Sequence, residues 1–289
     1  LLLRLADSLL TYSHSHVLLK RAPETILDWL LAIRDFLARR KTLVNLDWFR
    51  PDGREADYLL INTPDVPFLV DSLQIMFQRL QVQAIIISHP ILSVRRDHGV
   101  LRELAHAEGE SVRESLMLGQ VERVLNDLAS FGDEVLKTIE LVQKAGEERS
   151  RFSEQLEQIK GAVVDASHVD FFDWLMNGNF LCFGSSTVDV AHAGGVCRAT
   201  FCEGPFGWFP ERVLVDGDGS VAAAINQNQR SRLERDQDLL VELTDQVSLI
   251  YRAEPLVYIG YRVKQNDGRF REHAFVGLFT QKSINEQAC

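Results

Sequence analysis

The sequence has few of the features that mark secreted, membrane-spanning or nucleic-acid-binding proteins. Only four of its 289 residues are cysteine, and without a CxxC pair they suggest no disulfide framework. No stretch approaches the roughly 18 continuous apolar residues of a membrane-spanning helix. The net charge of −10, with 31 scattered basic residues, argues against a nucleic-acid surface. We therefore expect a cytoplasmic protein with reduced thiols that binds neither nucleic acid nor membranes.

Motifs that carry catalysis or cofactor binding are scarce as well. No GxxxxGK(S/T), HExxH or GxSxG pattern occurs. Residues 217–222 fit the GxGxxA pattern of dinucleotide sites, but no apolar second strand follows, so a turn is the better interpretation. The same segment fails as a calcium loop, because Val221 and Gln227 replace the required glycine and glutamate. His14 and His16 have no acidic or cysteine companion, which favours the surface over a metal site. The residues alone therefore show no catalytic, cofactor or metal site.

What the sequence does contain is ordinary globular material. With 46% hydrophobic and 25% charged residues, it can bury sizeable cores, and its length suits one large or two ordinary domains. It begins without Met and ends in the polar stretch 285–289. We therefore expect a piece of a longer protein.

The stretch from Tyr58 to Arg96 carries the clearest structural pattern. An apolar strand ends in a cluster of turn formers, and Pro67 has the position of a first-turn helix proline. From Phe68 onward, apolar residues recur at helical spacing. A β-branched run over 84–87 is interrupted by Pro90 and then resumes. Strand, loop, helix and strand make half of a βαββαβ sandwich, and we expect the other half nearby.

This pattern and its surroundings divide the chain into four parts. We expect an N-terminal helical segment (1–46), a first α/β module (47–122), connecting helices (123–164) and a second α/β module (165–289). Within the connecting helices, Gly132 and Gly146 predict breaks. The polar part from 149 to 160 predicts an exposed connector between the modules.

Turn residues locate further strands. In the first module, Asp97-His98-Gly99 predicts a hairpin, and a further strand is expected over 115–118. In the second, a short helix ends at Asn177-Gly178-Asn179 and a buried strand begins at Phe180. The chain closes with a hairpin through Asn266-Asp267-Gly268.

The middle of the second module is less clear. Residues 212–215 predict a short strand and residues 226–238 a helix plus loop, whereas the Gly-rich stretch 191–207 has no assignable pattern.

Two polar positions within the opening pattern invite an interpretation. We expect His89, inside an apolar strand, to be held by backbone or by a neighbouring carboxylate, with ligand contact or pH sensing as the alternative. Asp71, on the predicted helix, is expected to form a structural ion pair with Arg95 or Arg96. Neither position predicts catalysis.

Three blocks of the sequence together resemble one protein family. The first is DVPFLVDSLQ (65–74) with ISHPILSVRRD (87–97) and ESLM (114–117), the second FFDWLMNGNFLCFGSS (171–186), and the third YIGYRVKQNDGRFREHAFVGLFT (258–280). They resemble, in order, the N-terminal region of the large bacterial NAD-specific glutamate dehydrogenases. The resemblance covers roughly residues 50–289.

This resemblance implies an α+β fold of two ACT-like modules (ferredoxin-like, βαββαβ) with antiparallel sheets, joined by helices and preceded by a helical segment. It implies a parent enzyme that converts L-glutamate, NAD and water to 2-oxoglutarate, ammonia and NADH. The region itself would be non-catalytic and would hold no cofactor, since NAD would bind elsewhere in the parent. Its expected partners are the downstream catalytic region of the same chain and further copies in a homo-oligomer.

The resemblance also implies a candidate effector site. ACT modules carry an Asp-x-Pro-Gly loop where small amino acids bind, and here Asp65-Val66-Pro67 is followed by Phe68, whose side chain would obstruct the close approach that glycine permits. The candidate effector or interface loop consists of Asn62, Thr63, Asp65, Pro67 and Phe68. The leading hypothesis is a regulatory and assembly region. The alternatives are an amino-acid-sensing module and a purely structural oligomerisation scaffold.

Overall fold

The computed structural model describes residues 2–12, 22–38, 40, 42–49, 56–104, 111–122, 127–163, 165–193, 196–209 and 237–282. The chain divides into two compact units, Leu1–Glu140 and Leu141–Cys289. Each unit contains an antiparallel sheet, which confirms the predicted α+β class. None of the described helices combines the length with the apolar composition that a membrane-spanning helix needs.

The first unit is a sheet covered by helices. Its elements are α1 (Leu2–Thr11), α2 (Pro23–Ala38), β1 (Asn45–Phe49), β2 (Ala56–Pro64), α3 (Leu69–Arg79), β3 (Ala84–Ser88), β4 (Ile91–Asp97), β5 (Val100–Leu104), β6 (Val112–Glu122) and the beginning of α4 (Leu128–Lys160). The strand order is β1-β2-β6-β4-β5. Strand β6 pairs with β4 through residues 112–115 and with β3 through residues 118–121. Strand β1, the first strand in the chain, therefore forms the edge of the sheet beside β2.

The two faces of this sheet carry different helices. On one face, α1 and α2 cover Tyr58, Leu60, Leu92 and Leu118 in a single apolar cluster. The opposite face carries α3 and the first turns of α4. There Phe77 stacks on Phe131 at 5.9 Å between ring centroids. The alternation of side chains along each strand therefore decides which helix layer a residue meets.

The predicted turn at 97–99 and strand over 115–118 are confirmed in this unit, whereas the predicted position of Pro67 is corrected. The turn at His98 and Gly99, with φ of 48° and 82°, joins β4 to β5, and residues 115–118 lie within β6. Pro67, however, is not in the first turn of α3. It lies in a turn before the helix, because Phe68 adopts a left-handed backbone with φ 70° and ψ 10° and α3 begins only at Leu69.

Helix α4 is continuous over 33 residues, so the predicted breaks are wrong. A single glycine costs a helix only about 1 kcal/mol relative to alanine, and neither Gly132 nor Gly146 interrupts it. The predicted exposed connector over 149–160 is also wrong. Its few apolar residues recur at helical spacing and are buried in the second unit's core, namely Phe152, Leu156 and Ile159.

The second unit has a five-stranded sheet. Its elements after α4 are α5 (Ala166–Trp174), a π-helical turn (Leu175–Asn179), β7 (Phe180–Ala193), β8 (Val196–Gly207), β9 (Leu239–Val247), β10 (Pro255–Lys264) and β11 (Phe270–Phe279). The strand order is β8-β7-β11-β10-β9. Its core packs α4 and α5 against Cys182, Ile259 and Phe275.

Several predictions for this unit are confirmed. Gly178, with φ 80°, stops the helix before β7, and the hairpin through 266–268 joins β10 to β11. The stretch 191–207, which carried no readable pattern, lies mostly in the hairpin of β7 and β8. The segments 212–215 and 217–222, most of 226–238, and the histidines at 14 and 16 lie outside the described residues.

Candidate functional site

The candidate loop lies where β2 ends and α3 begins. Asn62 and Thr63 are fully buried at the end of the strand, Asp65 is half-buried, and Pro67 is exposed. Asn62 hydrogen-bonds to Glu114, whereas Asp65 accepts a hydrogen bond from Ser115. Because Glu114 and Ser115 are successive strand residues that face opposite sides of the sheet, these two members of the loop belong to separate polar clusters.

Phe68 holds a backbone conformation that favours glycine. Its φ of 70° and ψ of 10° are left-handed, a region that bulky residues occupy at a cost of roughly 1 to 2 kcal/mol. Its carbonyl oxygen accepts hydrogen bonds from the amide of Ser72 at 3.0 Å and from the Ser72 hydroxyl at 2.7 Å. Phe68 therefore adopts, at this position after Asp65-Val66-Pro67, a backbone conformation that glycine would adopt without strain.

A hydrogen-bonded chain of three polar residues lies beside this loop, and we call it the Asp65–Ser115–His89 chain. The Ser115 hydroxyl donates to Oδ1 of Asp65 at 3.0 Å, and Nε2 of His89 lies 3.2 Å from the Ser115 oxygen. Arg113 pairs with the other oxygen of Asp65 at 2.9 Å. The prediction that backbone or a carboxylate holds His89 is refined, because a serine hydroxyl stands between the imidazole and the carboxylate.

The connectivity of this chain differs from that of a nucleophilic serine. A nucleophilic serine gives its proton to histidine, and a carboxylate orients the far side of that imidazole. Here the serine proton points to Asp65, so Nε2 of His89 acts as the donor. Burial lowers the pKa of His89, and the charge of Asp65 only partly opposes this. The chain orders three segments rather than activating a nucleophile.

A second group, the Glu114 cluster, lies on the face covered by α2. It consists of Arg40, Asn62, Arg96 and Glu114. Glu114 is 1% exposed, and Arg96 donates hydrogen bonds to both of its carboxylate oxygens, at 2.7 and 2.9 Å. Asn62 donates to it at 3.0 Å, and Arg40 pairs with it as well. Burial opposes its ionisation, but the hydrogen bonds from Arg96 and Asn62 and the two arginine charges keep its pKa below the ordinary value.

The Glu114 cluster also fixes the end of α2. Arg96 donates to the carbonyl of Leu37 at 2.9 Å, so a cation meets the negative end of the helix dipole. Arg40 donates to the carbonyls of Thr42 and Leu43. The cluster thereby joins α2, β2, β4 and β6 through groups that have hydrogen-bonding partners inside the unit.

The prediction for Asp71 is wrong. Arg96 pairs with Glu114, and Arg95 pairs with Glu103 at 3.4 Å. Asp71 belongs to α3, which packs on the sheet face opposite to Arg96. One sequence signal pointed to Glu114 as the partner of Arg96. Glu114 alternates with Leu116 and Leu118 and so faces the core with them, and a buried carboxylate requires a cation or several hydrogen-bond donors.

The second unit contains a buried acid of another kind. Glu148 on α4 is 2% exposed and accepts a hydrogen bond from Ser185. Burial raises its pKa, and the Ser185 hydroxyl and the charge of Arg151 only partly offset this. Burial also raises the pKa of the nearby Cys182 thiol, which makes that thiol unreactive. In the described parts of the chain, no three His, Cys, Asp or Glu side chains are placed to hold a metal ion.

Comparisons with known proteins agree with the family predicted from the sequence blocks. Residues 5–132 match the family described as glutamate dehydrogenase, ACT1 domain, a range inside the first unit. The chain is also similar to the NAD-specific glutamate dehydrogenase of Pseudomonas aeruginosa, at 26% identity over 77% of this chain. The match spans 15% of the length of that protein. The predicted resemblance is thereby confirmed.

Proposed function

We propose that this chain, whose residues 5–132 match the glutamate dehydrogenase ACT1 family, is a non-catalytic regulatory and assembly region of a larger NAD-dependent glutamate dehydrogenase. The observation that carries the proposal is the ACT1 match, which coincides with a unit whose polar groups serve structure. Glu114 is fully engaged by Arg96, Asn62 and Arg40. The serine of the Asp65–Ser115–His89 chain points its proton away from the histidine.

The chemistry of the parent would therefore reside elsewhere in the same protein. There L-glutamate, NAD and water would become 2-oxoglutarate, ammonia and NADH, and NAD would bind in that catalytic region. The role of the present region would be to contact the catalytic part and to join subunits in the cytoplasm. Exposed apolar residues on β9 support a role in assembly, since Val241 and Leu243 are 42% and 70% exposed.

The first experiment separates the region from the parent. The 289-residue chain, incubated with L-glutamate and NAD, is expected to form no NADH, whereas the full-length parent does. A parent that lacks residues 1–289 is expected to change its oligomeric mass or its dependence on substrate concentration, measured by light scattering and initial rates. NADH formation by the isolated chain would contradict the non-catalytic assignment. An unchanged mass and rate law in the shortened parent would contradict the regulatory and assembly role.

A second candidate function is amino-acid sensing at the loop before α3, and the backbone of Phe68 favours it. The left-handed conformation is present, and only the side chain stands where an ACT loop leaves room. On this function, wild-type protein gives binding heat with one of a panel of amino acids at millimolar concentration, and Phe68→Gly binds it more tightly because the obstructing side chain is removed. Gln81→Gly is the matched control, because Gln81 also has a positive φ, of 55°, but lies outside the loop. No binding heat from the wild-type protein at millimolar concentration would contradict this function.

A further inference from the structure

The end of β8 is held to α4 by two side chains of the helix. Strand β8 lies at the edge of the second unit's sheet. Glu148 of α4 packs against the end of this strand, since a methyl group added at Gly207 would come within 3.1 Å of its Cβ atom. In the next turn of α4, the guanidinium carbon of Arg151 lies 3.5 Å from the centre of the Phe206 ring. One acid and one cation therefore fasten the edge strand to the helix.

The position of Glu148 suits a protonated acid. Its side chain is buried, with 2% of the residue exposed, and it accepts a hydrogen bond from the Ser185 hydroxyl of β7. No basic side chain of the described residues forms an ion pair with it. A carboxylate there would have a neutral donor but no counter-charge, which is costly inside a protein.

The groups around Glu148 offer one alternative partner for its charged form. On the β7 side, burial raises the pKa of the Cys182 thiol, which is therefore neutral. The contacting part of β8, residues 206–207, is uncharged. On α4 itself, Lys144 precedes Glu148 by one turn and is exposed, and Arg151 follows it. A glutamate three residues before an arginine on a helix is well placed to form an ion pair.

From this geometry, we propose that Glu148 is a proton-controlled clasp between α4 and the end of β8. The protonated acid stays buried against Gly207 and accepts the hydrogen bond from Ser185. When the acid releases its proton to water, the carboxylate turns to Arg151, whose guanidinium group leaves the Phe206 ring. Both contacts with the edge strand are then released together. The clasp lies within the second unit and does not depend on the proposed function.

The direction of the pH response follows from the two environments of the acid. Burial raises the pKa of Glu148 in the closed state, whereas in the released state water solvates the carboxylate. The closed state is therefore favoured below the ordinary glutamate pKa and weakens as the pH rises through the raised value. Between these two values, the released population should increase by up to about tenfold per pH unit.

The first test follows hydrogen exchange of the Trp208 amide in the 289-residue chain across this pH range. This amide donates to the carbonyl oxygen of Phe183 at 2.7 Å, so it is exposed to exchange when the end of β8 is released. Its protection, corrected for the intrinsic exchange rate, should fall by up to about tenfold per pH unit. The fall should be absent in Glu148→Gln, which is neutral throughout. Glu147→Gln, the same change at the exposed neighbour, should behave like wild type.

A second measurement detects the change of partner. In the closed state the Phe206 ring shifts the NMR signals of the Arg151 side chain upfield. This shift should disappear over the same pH range in wild type and persist in Glu148→Gln. The Ile259 amide, in the core of the same unit, should stay more protected than the Trp208 amide at every pH, because release of the clasp is local.

Four results would overturn the proposal. The first two are a Trp208 protection that stays constant with pH in wild type, and one that falls equally in Glu148→Gln. The third is an Arg151 signal that remains shifted at alkaline pH, since the cation would then never leave the ring. The fourth is equal protection of Trp208 and Ile259 at every pH, because the unit would then open only as a whole.

Discussion

Replacing Glu114 by glutamine should destabilise the first unit far more than the same change at an exposed glutamate. The carboxylate of Glu114 is 2% exposed, between the guanidinium groups of Arg40 and Arg96, which are 10% and 13% exposed. Glutamine retains one acceptor oxygen but loses the charge and turns an amide donor toward two cations. Removing one partner from a buried ionic network typically costs about 3 to 5 kcal/mol, and we expect Glu114→Gln to fall in this range.

The matched control is Glu103→Gln. Glu103 is 48% exposed and pairs with Arg95 at 3.4 Å, and surface pairs of this kind contribute about 0 to 1 kcal/mol. The measurement is hydrogen exchange of the amides of β6 as urea increases, which reports the free energy of unfolding of this unit alone. A difference below about 1 kcal/mol between the two variants would refute the ionic argument, since burial would then have no consequence for the charge.

The same residue predicts a pH dependence. The pKa of Glu114 in the folded protein lies below its ordinary value, so its contribution to stability is present above the unfolded pKa and disappears as pH falls through the folded pKa. Wild-type protein should therefore lose stability on acidification, and Glu114→Gln should lose less. Equal acid sensitivity of both proteins would show that other groups dominate.

Three further changes have clear expected outcomes. The pKa of Glu148 is raised in the folded state, so its stabilising contribution is lost as pH rises. Glu148→Gln should therefore exceed wild type in urea stability increasingly as the pH rises above the acid range, and the opposite trend would contradict the raised pKa. Gly146→Ala should increase the free energy of unfolding by about 0.5 to 1 kcal/mol and so raise the melting temperature, since no atom of the described residues lies within 4 Å of the new methyl group. Gly277→Ala should destabilise the second unit by more than about 3 kcal/mol, because its methyl group would lie 1.9 Å from the Leu181 carbonyl oxygen; a variant with wild-type melting would exclude this close strand approach.

Much of the secondary structure was predictable because its signals are local. The hairpins at 97–99 and 266–268 follow from turn residues that tolerate positive φ between apolar runs. Helix α4 was only partly predicted, because glycine is a weak signal inside a long helix. In its last turns, Phe152, Leu156 and Ile159 have the spacing of one buried helix face. The many polar residues around them nevertheless led to the prediction of an exposed segment.

The candidate loop was predictable from family resemblance, whereas its partners were not. Arg40 and Arg96 meet Glu114 across 74 and 18 residues of sequence, and no local pattern encodes such distances. The assignment of Asp71 to Arg96 failed because the two residues lie on opposite faces of the sheet, and the face of a residue is known only when the register of its strand is known. The Asp65–Ser115–His89 chain likewise joins three segments that only the sheet brings together.

The amino-acid sequence by itself determined the α+β class, the strand–loop–helix–strand pattern from Tyr58 to Arg96 and the family resemblance, since periodicity, turn chemistry and motif order are properties of neighbouring residues. The tertiary structure decided which charges pair, that Asp65, Ser115 and His89 meet, and that a register shift in β3 places Ser88 opposite Leu118. A shift of one residue in strand register moves a side chain to the other face, and register is set by contacts between strands that are distant in the chain.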